Sequence, residues 1–373
     1  MTRLNLRLCM RLLPATAVAA SSALGRGVQR ASYYQHRRPA VAFGWSSRGG
    51  FSSGESPPAE RTARPHAMQS EVKGAPEIQL RELAAAAPSL LASVVAVASD
   101  VDGTLTTPDV TVSPRTIAAI KAVMDSGLLF FPATGKTRAG MYKILGEDMG
   151  AKLRARNAPG VFIQGLVVYS GSGDEVLYER LLDASVVEQV ATFCEEKGVS
   201  LIAYSGDRIV CSAKDAQTDK IADYAEPIPE AVGPLVAAMA AGLRIHKLIL
   251  MDTTEAIDRV RPDMEQLIGE QATLTQALPD MLEVLPAGAS KGNGVEILLK
   301  HLGIDPLCLM ALGDAENDVD MLRLAGVGVC VGNASPPARA AARFIAPTNA
   351  EDGAAVAMEH LLRSKEPPTR LSS

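Results

Sequence analysis

Residues 94–105, VVAVASDVDGTL, constrain this chain more than any other stretch. A valine-rich apolar run of strand length stops at Asp100, Asp102 follows two residues later, and Gly103-Thr104 begins a turn. Apolar on both faces, the run predicts a buried parallel strand. Parallel strands come with helices on both sides of the sheet, and ligands bind just beyond their carboxyl ends. The chain is thereby steered to an α/β architecture with two carboxylates at the ligand-binding edge.

The residues that follow repeat the pattern. Ser113-Pro114 predicts a helix start, and Ile117, Ile120 and Met124 recur at helical spacing up to Gly127. Residues 128–133 predict a second strand ending at Thr134-Gly135-Lys136, and residues 138–149 a helix. Residues 161–169 and 175–181 predict two strands around a Ser-Gly turn. From Asp183 the texture changes. Helices over 183–197, 215–225, 230–241 and 254–269 interleave with strands over 200–204, 208–213, 245–251, 273–277 and 281–285, an order that predicts a mainly antiparallel sheet with helices. From Pro286 the βα alternation returns, with helices over 290–302, 316–324, 336–342 and 352–363 and strands over 307–312, 327–331 and 343–345. The expected architecture is a doubly wound, Rossmann-type parallel core over 92–182 and 286–363, interrupted by an inserted module over 183–285.

Charge divides the chain. Residues 1–54 hold eight Arg, no Lys and no acid, and the rest carries 29 basic against 42 acidic residues, a balance of −13. Arg-, Ser- and Ala-rich and acid-free at its start, the segment to about residue 75 reads as an organellar transit peptide, with the Ser/Gly/Pro-rich stretch 46–65 favouring plastid over mitochondrion. The acidic body argues against nucleic acid or an anionic membrane as the main partner. Pro88 divides the apolar residues 83–99, so no transmembrane helix is expected. Five cysteines and five histidines are scattered without CxxC or HExxH spacing, which offers no zinc site and no disulfide framework.

Four clusters fall at predicted strand ends. Asp100 and Asp102 repel when both are ionised, which favours a shared proton or a bound cation. With Mg²⁺ present, Asp100 can act as nucleophile and Asp102 as general acid and then base. Thr134 and Gly135 offer a hydroxyl and backbone N–H groups to a phosphate oxygen. Lys291, in Gly288-Ala289-Ser290-Lys291-Gly292-Asn293-Gly294, offers a cation for charge on a transferring phosphoryl group; the P-loop spacing is absent. Asp314 in Gly313-Asp314-Ala315-Glu316-Asn317-Asp318 is a second carboxylate for the metal, with Asn317 and Asp318 in support. Taken singly, these also read as an Asp-Gly turn, a helix N-cap, a solvated lysine and an acidic helix start. Their common position at strand ends favours the catalytic reading.

DxDGT, Thr-Gly, Lys and GDxxND in this order resemble the four motifs of the haloacid dehalogenase (HAD) superfamily. The inserted module resembles the C2B cap of its Cof-type phosphatases, in an organellar plant and algal branch; the similarity covers about 92–363. Gln164 stands where that family usually has Asn, and Lys136 where it often has Arg, departures that bear on the substrate-facing side. The resemblance implies an aspartyl-phosphate on Asp100, acid/base work by Asp102, and phosphoryl binding by Thr134 and Lys291. It implies Mg²⁺ on Asp100, the backbone carbonyl of Asp102, and Asp314, with Asp318 acting through water and Asn317 orienting phosphate or Lys291. The expected function is hydrolysis of a small-molecule phosphate ester of the sugar phosphate, flavin mononucleotide or pyridoxal phosphate class. A phosphotransferase or mutase on the same scaffold and a catalytically silent binding module are the alternatives. Oligomeric state stays open.

Overall fold

The computed structural model describes residues 81–172 and 174–365. The expected transit peptide, residues 1–75, lies outside them, as does Gly173 of the predicted turn. Among the described residues no helix is long and apolar enough to cross a membrane.

The central sheet has six strands, all parallel, in the spatial order Arg81–Glu82, Phe344–Ile345, Val327–Cys330, Leu309–Gly313, Ala96–Ser99, Leu129–Pro132. Ala96–Ser99 is buried throughout, as a strand covered on both faces must be. Its neighbours explain the site. Ser99 pairs with Leu312 on one side and Pro132 on the other, so the residues after these strands emerge together. The helix Pro114–Asp125 starts where expected, with the Ser113 hydroxyl accepting from the Thr116 amide at 3.1 Å. The helix Lys291–Leu302 is capped by Ser290 and ended by a left-handed Gly303.

A second six-stranded sheet lies wholly within residues 200–286, in the order Ala272–Leu278, Met281–Pro286, Lys247–Met251, Ser200–Ser205, Arg208–Cys211, Glu230–Ala231; only the last pair is parallel. Period-two alternation sorts its faces. Leu248, Leu250, Leu282 and Val284 pack with Val187, Val190 and Ile257 of the helices Ala184–Lys197 and Thr254–Ile268. Ile202, Tyr204, Ile249, Met251 and Met281 join the apolar group that contains Met141 and Ile163 beside the parallel sheet. This second face therefore looks onto the loops at the strand ends.

Four expectations fail locally. The helix predicted over 138–149 is two helices, Arg138–Ile144 and Glu147–Ala155, because Gly146 adopts φ 79°. Residues 215–225 hold only the 3₁₀ segment Thr218–Tyr224, and 230–241 begins as a strand before the helix Leu235–Ala240. The strand predicted over 161–169 is folded on itself. Gly160–Phe162 and Val167–Tyr169 pair antiparallel around Ile163, Gln164 and Gly165, all left-handed at φ 51°, 57° and 87°. A third strand, Val176–Glu179, completes this small sheet. Ala133 bridges to Val161, which ties it to the central sheet's edge.

Candidate active site

The loops after Ala96–Ser99 and Leu309–Gly313 bring the predicted acids together. Asp100, Asp314 and Asp318 each present an oxygen within 4.8 Å of the others. Lys291, fully buried at the start of its helix, donates to Asp100 Oδ1 and to Asp318 Oδ1, both at 2.7 Å. Asp318 is the best-satisfied acid of the three. Its Oδ2 accepts from the amides of Asp314 (2.9 Å) and Ala315 (3.1 Å). Asp314 Oδ1 accepts from the Thr104 hydroxyl at 2.7 Å. Gly103 has φ 74°, and a Cβ there would lie 2.3 Å from Asp314 Oδ2. The turn of DxDGT thus needs glycine both for its backbone and for the acid packed against it.

Asp100 and the half-buried Asp314 crowd against Asp318 with one lysine in the cluster, and the acidity of the first two records it. Burial first, then Asp318, raises the Asp100 carboxyl well above the ordinary range, with Lys291 opposing. Burial and Asp318 likewise push Asp314 up to about 7. The cluster carries more negative charge than its protein partners offset, and its donors are hard oxygens. Both properties suit a small divalent cation.

Asp102 points elsewhere. Its carboxylate is half-buried, outside the three-acid cluster, with Oδ1 3.1 Å from Lys136 Nζ. The contact is an ion pair without hydrogen-bond alignment, since Asp102 Oδ1 has no hydrogen-bond donor. Lys136 also donates to the Tyr224 carbonyl. Thr134 is fully buried, and its hydroxyl accepts from the Lys136 amide at 3.1 Å. Gly135 lines the same cavity as Asp100 and Asp102. Asn317 bonds Gln164, donating through Nδ2 to Gln164 Oε1 at 3.1 Å, and its own Oδ1 is buried without a partner.

Sequence reasoning missed the residues that the second sheet contributes. Lys247 Nζ donates to Glu283 Oε2 at 2.6 Å and to the Gly135 carbonyl at 2.9 Å, and lies 4.2 Å from the centre of the Tyr204 ring. Gln164 Nε2 donates to Glu283 Oε1 at 2.8 Å. Glu226 accepts from the Thr137 amide (3.0 Å) and hydroxyl (2.6 Å). The sequence did hold a signal for two of these. Lys247 in KLILM and Glu283 in MLEVLP are charges inside apolar strand runs, where an unpaired charge is very costly. Gln164 owes its position to the left-handed turn, whose β-branched Ile163 and Gln164 each cost about 1–3 kcal/mol. Packing holds that turn: a Cβ on Gly165 would lie 2.3 Å from the Ser290 carbonyl.

The cavity over Asp100 and Asp102 has only about 40 Å³ of free space, roofed by Tyr204, Ile249 and Met281. A larger chamber of about 330 Å³ lies behind Gln164 and Asn317. It touches Lys291 but neither Asp100 nor Asp102.

Comparison with known proteins agrees with this geometry. A family model described as haloacid dehalogenase-like hydrolase matches residues 97–358. The chloroplastic endoribonuclease YBEY of Arabidopsis thaliana is 39% identical over 267 residues, which are 69% of this chain and 45% of that protein. The chain thus spans less than half of that relative. An HMP-PP phosphatase of Escherichia coli is 30% identical over 244 residues, 65% of this chain and 86% of the enzyme. Among solved structures, a putative HAD/COF-like hydrolase from Plasmodium vivax matches with a TM-score of 0.67 at 25% identity, covering 74% of this chain and 98% of that one. A HAD subclass IIB sugar phosphatase matches with a TM-score of 0.61 at 27% identity, covering 71% and 98%.

Proposed function

The chain belongs to the haloacid dehalogenase-like hydrolase family and is a phosphomonoester hydrolase, and from that premise we propose that it cleaves a small phosphorylated metabolite through an aspartyl-phosphate on Asp100, with Mg²⁺ as cofactor. One observation supports this above the others: Lys291 bridges Asp100 and Asp318 at 2.7 Å each, with Asp314 in the same cluster. Residues 100, 291 and the pair 314 and 318 meet there from three separate stretches of the chain.

Lys291 holds the Asp100 carboxylate by one oxygen, which leaves the other to attack phosphorus. As that bond forms, the bond from phosphorus to the leaving oxygen breaks, and Asp102, once released from its ion pair with Lys136 and protonated from solvent, gives its proton to that oxygen. Asp102 then takes a proton from water. The resulting hydroxide attacks phosphorus, breaks the acyl-phosphate bond and returns Asp100 as a carboxylate. The Thr134 hydroxyl and the Gly135 amide hold phosphoryl oxygens throughout. Asp100, Asp314 and the Asp102 carbonyl, with Asp318 in support, would hold Mg²⁺, which would supply positive charge against the phosphoryl oxygens and the clustered acids. The segment 183–285 acts as a cap over this cleft, and excludes bulk water during transfer. The cap sets the leaving group, and a sugar, from a sugar phosphate substrate, is the reading we favour; the HAD subclass IIB sugar phosphatase above supports it. The composition of residues 1–75 and the chloroplastic relative support a plastid location.

A screen of phosphate release over sugar phosphates, flavin mononucleotide and pyridoxal phosphate tests the assignment. Release from at least one ester, lost on chelation and restored by Mg²⁺, is expected; release indifferent to chelation would remove the metal. Protons compete with the cation, which gives a second readout. Folding raises the Asp314 carboxyl from 3.8 to about 7, so ionisation across that window weakens the metal-free protein. The gain in melting temperature on adding Mg²⁺ should therefore grow between pH 5 and pH 8, and a constant gain would count against these ligands.

A further inference from the structure

Four buried side chains join the two loops assigned to the phosphoryl group. Asn317 donates to Gln164 (3.1 Å), Gln164 donates to Glu283 (2.8 Å), and Lys247 donates both to Glu283 (2.6 Å) and to the Gly135 carbonyl (2.9 Å). One end is the loop 134–135 and the other the loop 314–318. The middle, Glu283 and Lys247, stands on adjacent strands of the second sheet, diagonal to each other on the face that looks onto the site.

Stability does not account for this path. An ammonium and a carboxylate taken fully out of water recover little net free energy, and apolar residues of similar volume commonly serve the fold as well or better. Gln164 is held in its place by a strained turn. Two unfavourable arrangements, a buried ion pair and left-handed non-glycine backbone, thus converge on one chain of hydrogen bonds. Such features concentrate where geometry must be held for function.

Resting on the phosphatase reading above, we propose that Glu283, with Lys247 and Gln164, is a positioning residue that sets the Thr134–Gly135 loop and Asn317 in register around the phosphoryl group. Because Glu283 and Lys247 belong to the inserted sheet, the phosphate site is complete only when that sheet is seated. These residues act on the phosphoryl end of every substrate, not on the identity of its leaving group.

Inorganic phosphate is the discriminating probe, since it has no leaving group. Glu283→Gln and the charge-free double variant Lys247→Met/Glu283→Leu are compared with wild type. The double variant removes the ion pair and keeps volume, and this gain offsets the cost of leaving Gln164 Nε2 and the Gly135 carbonyl unpaired, so its melting temperature should stay within a few degrees of wild type. Expected in both variants is phosphate binding in the presence of Mg²⁺, read by calorimetry, weakened about tenfold or more. Turnover should fall by about 10²-fold, to a similar extent for chemically different esters, as a misplaced reacting group predicts. Unchanged phosphate affinity with losses that differ from ester to ester would make these leaving-group contacts and overturn the proposal. Unchanged affinity and turnover in a folded double variant would also overturn it, as would failure of both variants to fold, which would leave the path a purely structural role. If wild type released no phosphate from any ester while the variants still lost phosphate affinity, the hydrolase reading would fall and the positioning path would stand.

Discussion

Asp100→Asn will fold as well as wild type and release essentially no phosphate. The loss follows from removing the nucleophile, for which roughly 10⁴-fold or more in turnover is expected. The retained stability follows from the charge balance. Burial and the neighbouring Asp318 raise the Asp100 carboxyl well above its ordinary range, which means that folding disfavours its ionised form. An amide of the same shape removes that penalty, and Lys291 keeps Asp318 as a partner at 2.7 Å. Melting temperature and phosphate release measured on one preparation decide the matter. Residual turnover above a hundredth of wild type would place the nucleophile elsewhere, and a collapsed melting temperature would mean that Asp100 is needed for the fold.

Lys291→Met should do the opposite to stability and the same to activity. Lys291 is the only cation in contact with Asp100 and Asp318 among the described residues, and it is fully buried. Its removal leaves two buried carboxylates facing each other beside Asp314. Breaking a buried pair from one side costs about 3–5 kcal/mol, roughly 10 °C in melting temperature for a body of this size. Turnover should fall at least 10³-fold, because Asp100 loses its orientation and the one cation that favours its ionised form. Mg²⁺ should recover part of the lost stability and none of the orientation. A variant that melts like wild type would show that the acids do not share this lysine in solution.

The catalytic half of the molecule could be read from residue order because each part is local. Asp100, Thr134 and Asp314 each follow an apolar run, and a parallel sheet aligns the ends of such runs without further information. The inserted half could be read only as strands and helices. Lys247 and Glu283 acquire meaning when two strands pair and place them on one face, and nothing in KLILM or MLEVLP names the partner. The break at Ile163-Gln164-Gly165 was hidden for a related reason. VFIQGLVVY has the composition of a continuous strand, and its reversal depends on the Ser290 carbonyl and Gly294 packed against Gly165. The hydrogen-bond partner of Asn317 was equally hidden, because Gln164 is 153 residues away in the chain.

The order of the central sheet has a consequence for how the protein is made. Thr104 and its partner Asp314 are 210 residues apart, and the strand carrying Asp100 finds its second neighbour, Leu309–Gly313, only after the whole inserted sheet has been synthesised. At roughly 5–20 residues per second on the ribosome, the nascent chain passes about 10–40 seconds with that apolar strand open along one edge. The inserted sheet, contiguous in the chain, can complete its pairing in that interval. The acids of the cluster are therefore brought together late, and the unpaired edge is where chaperones would be needed and where premature termination would leave an aggregation-prone product.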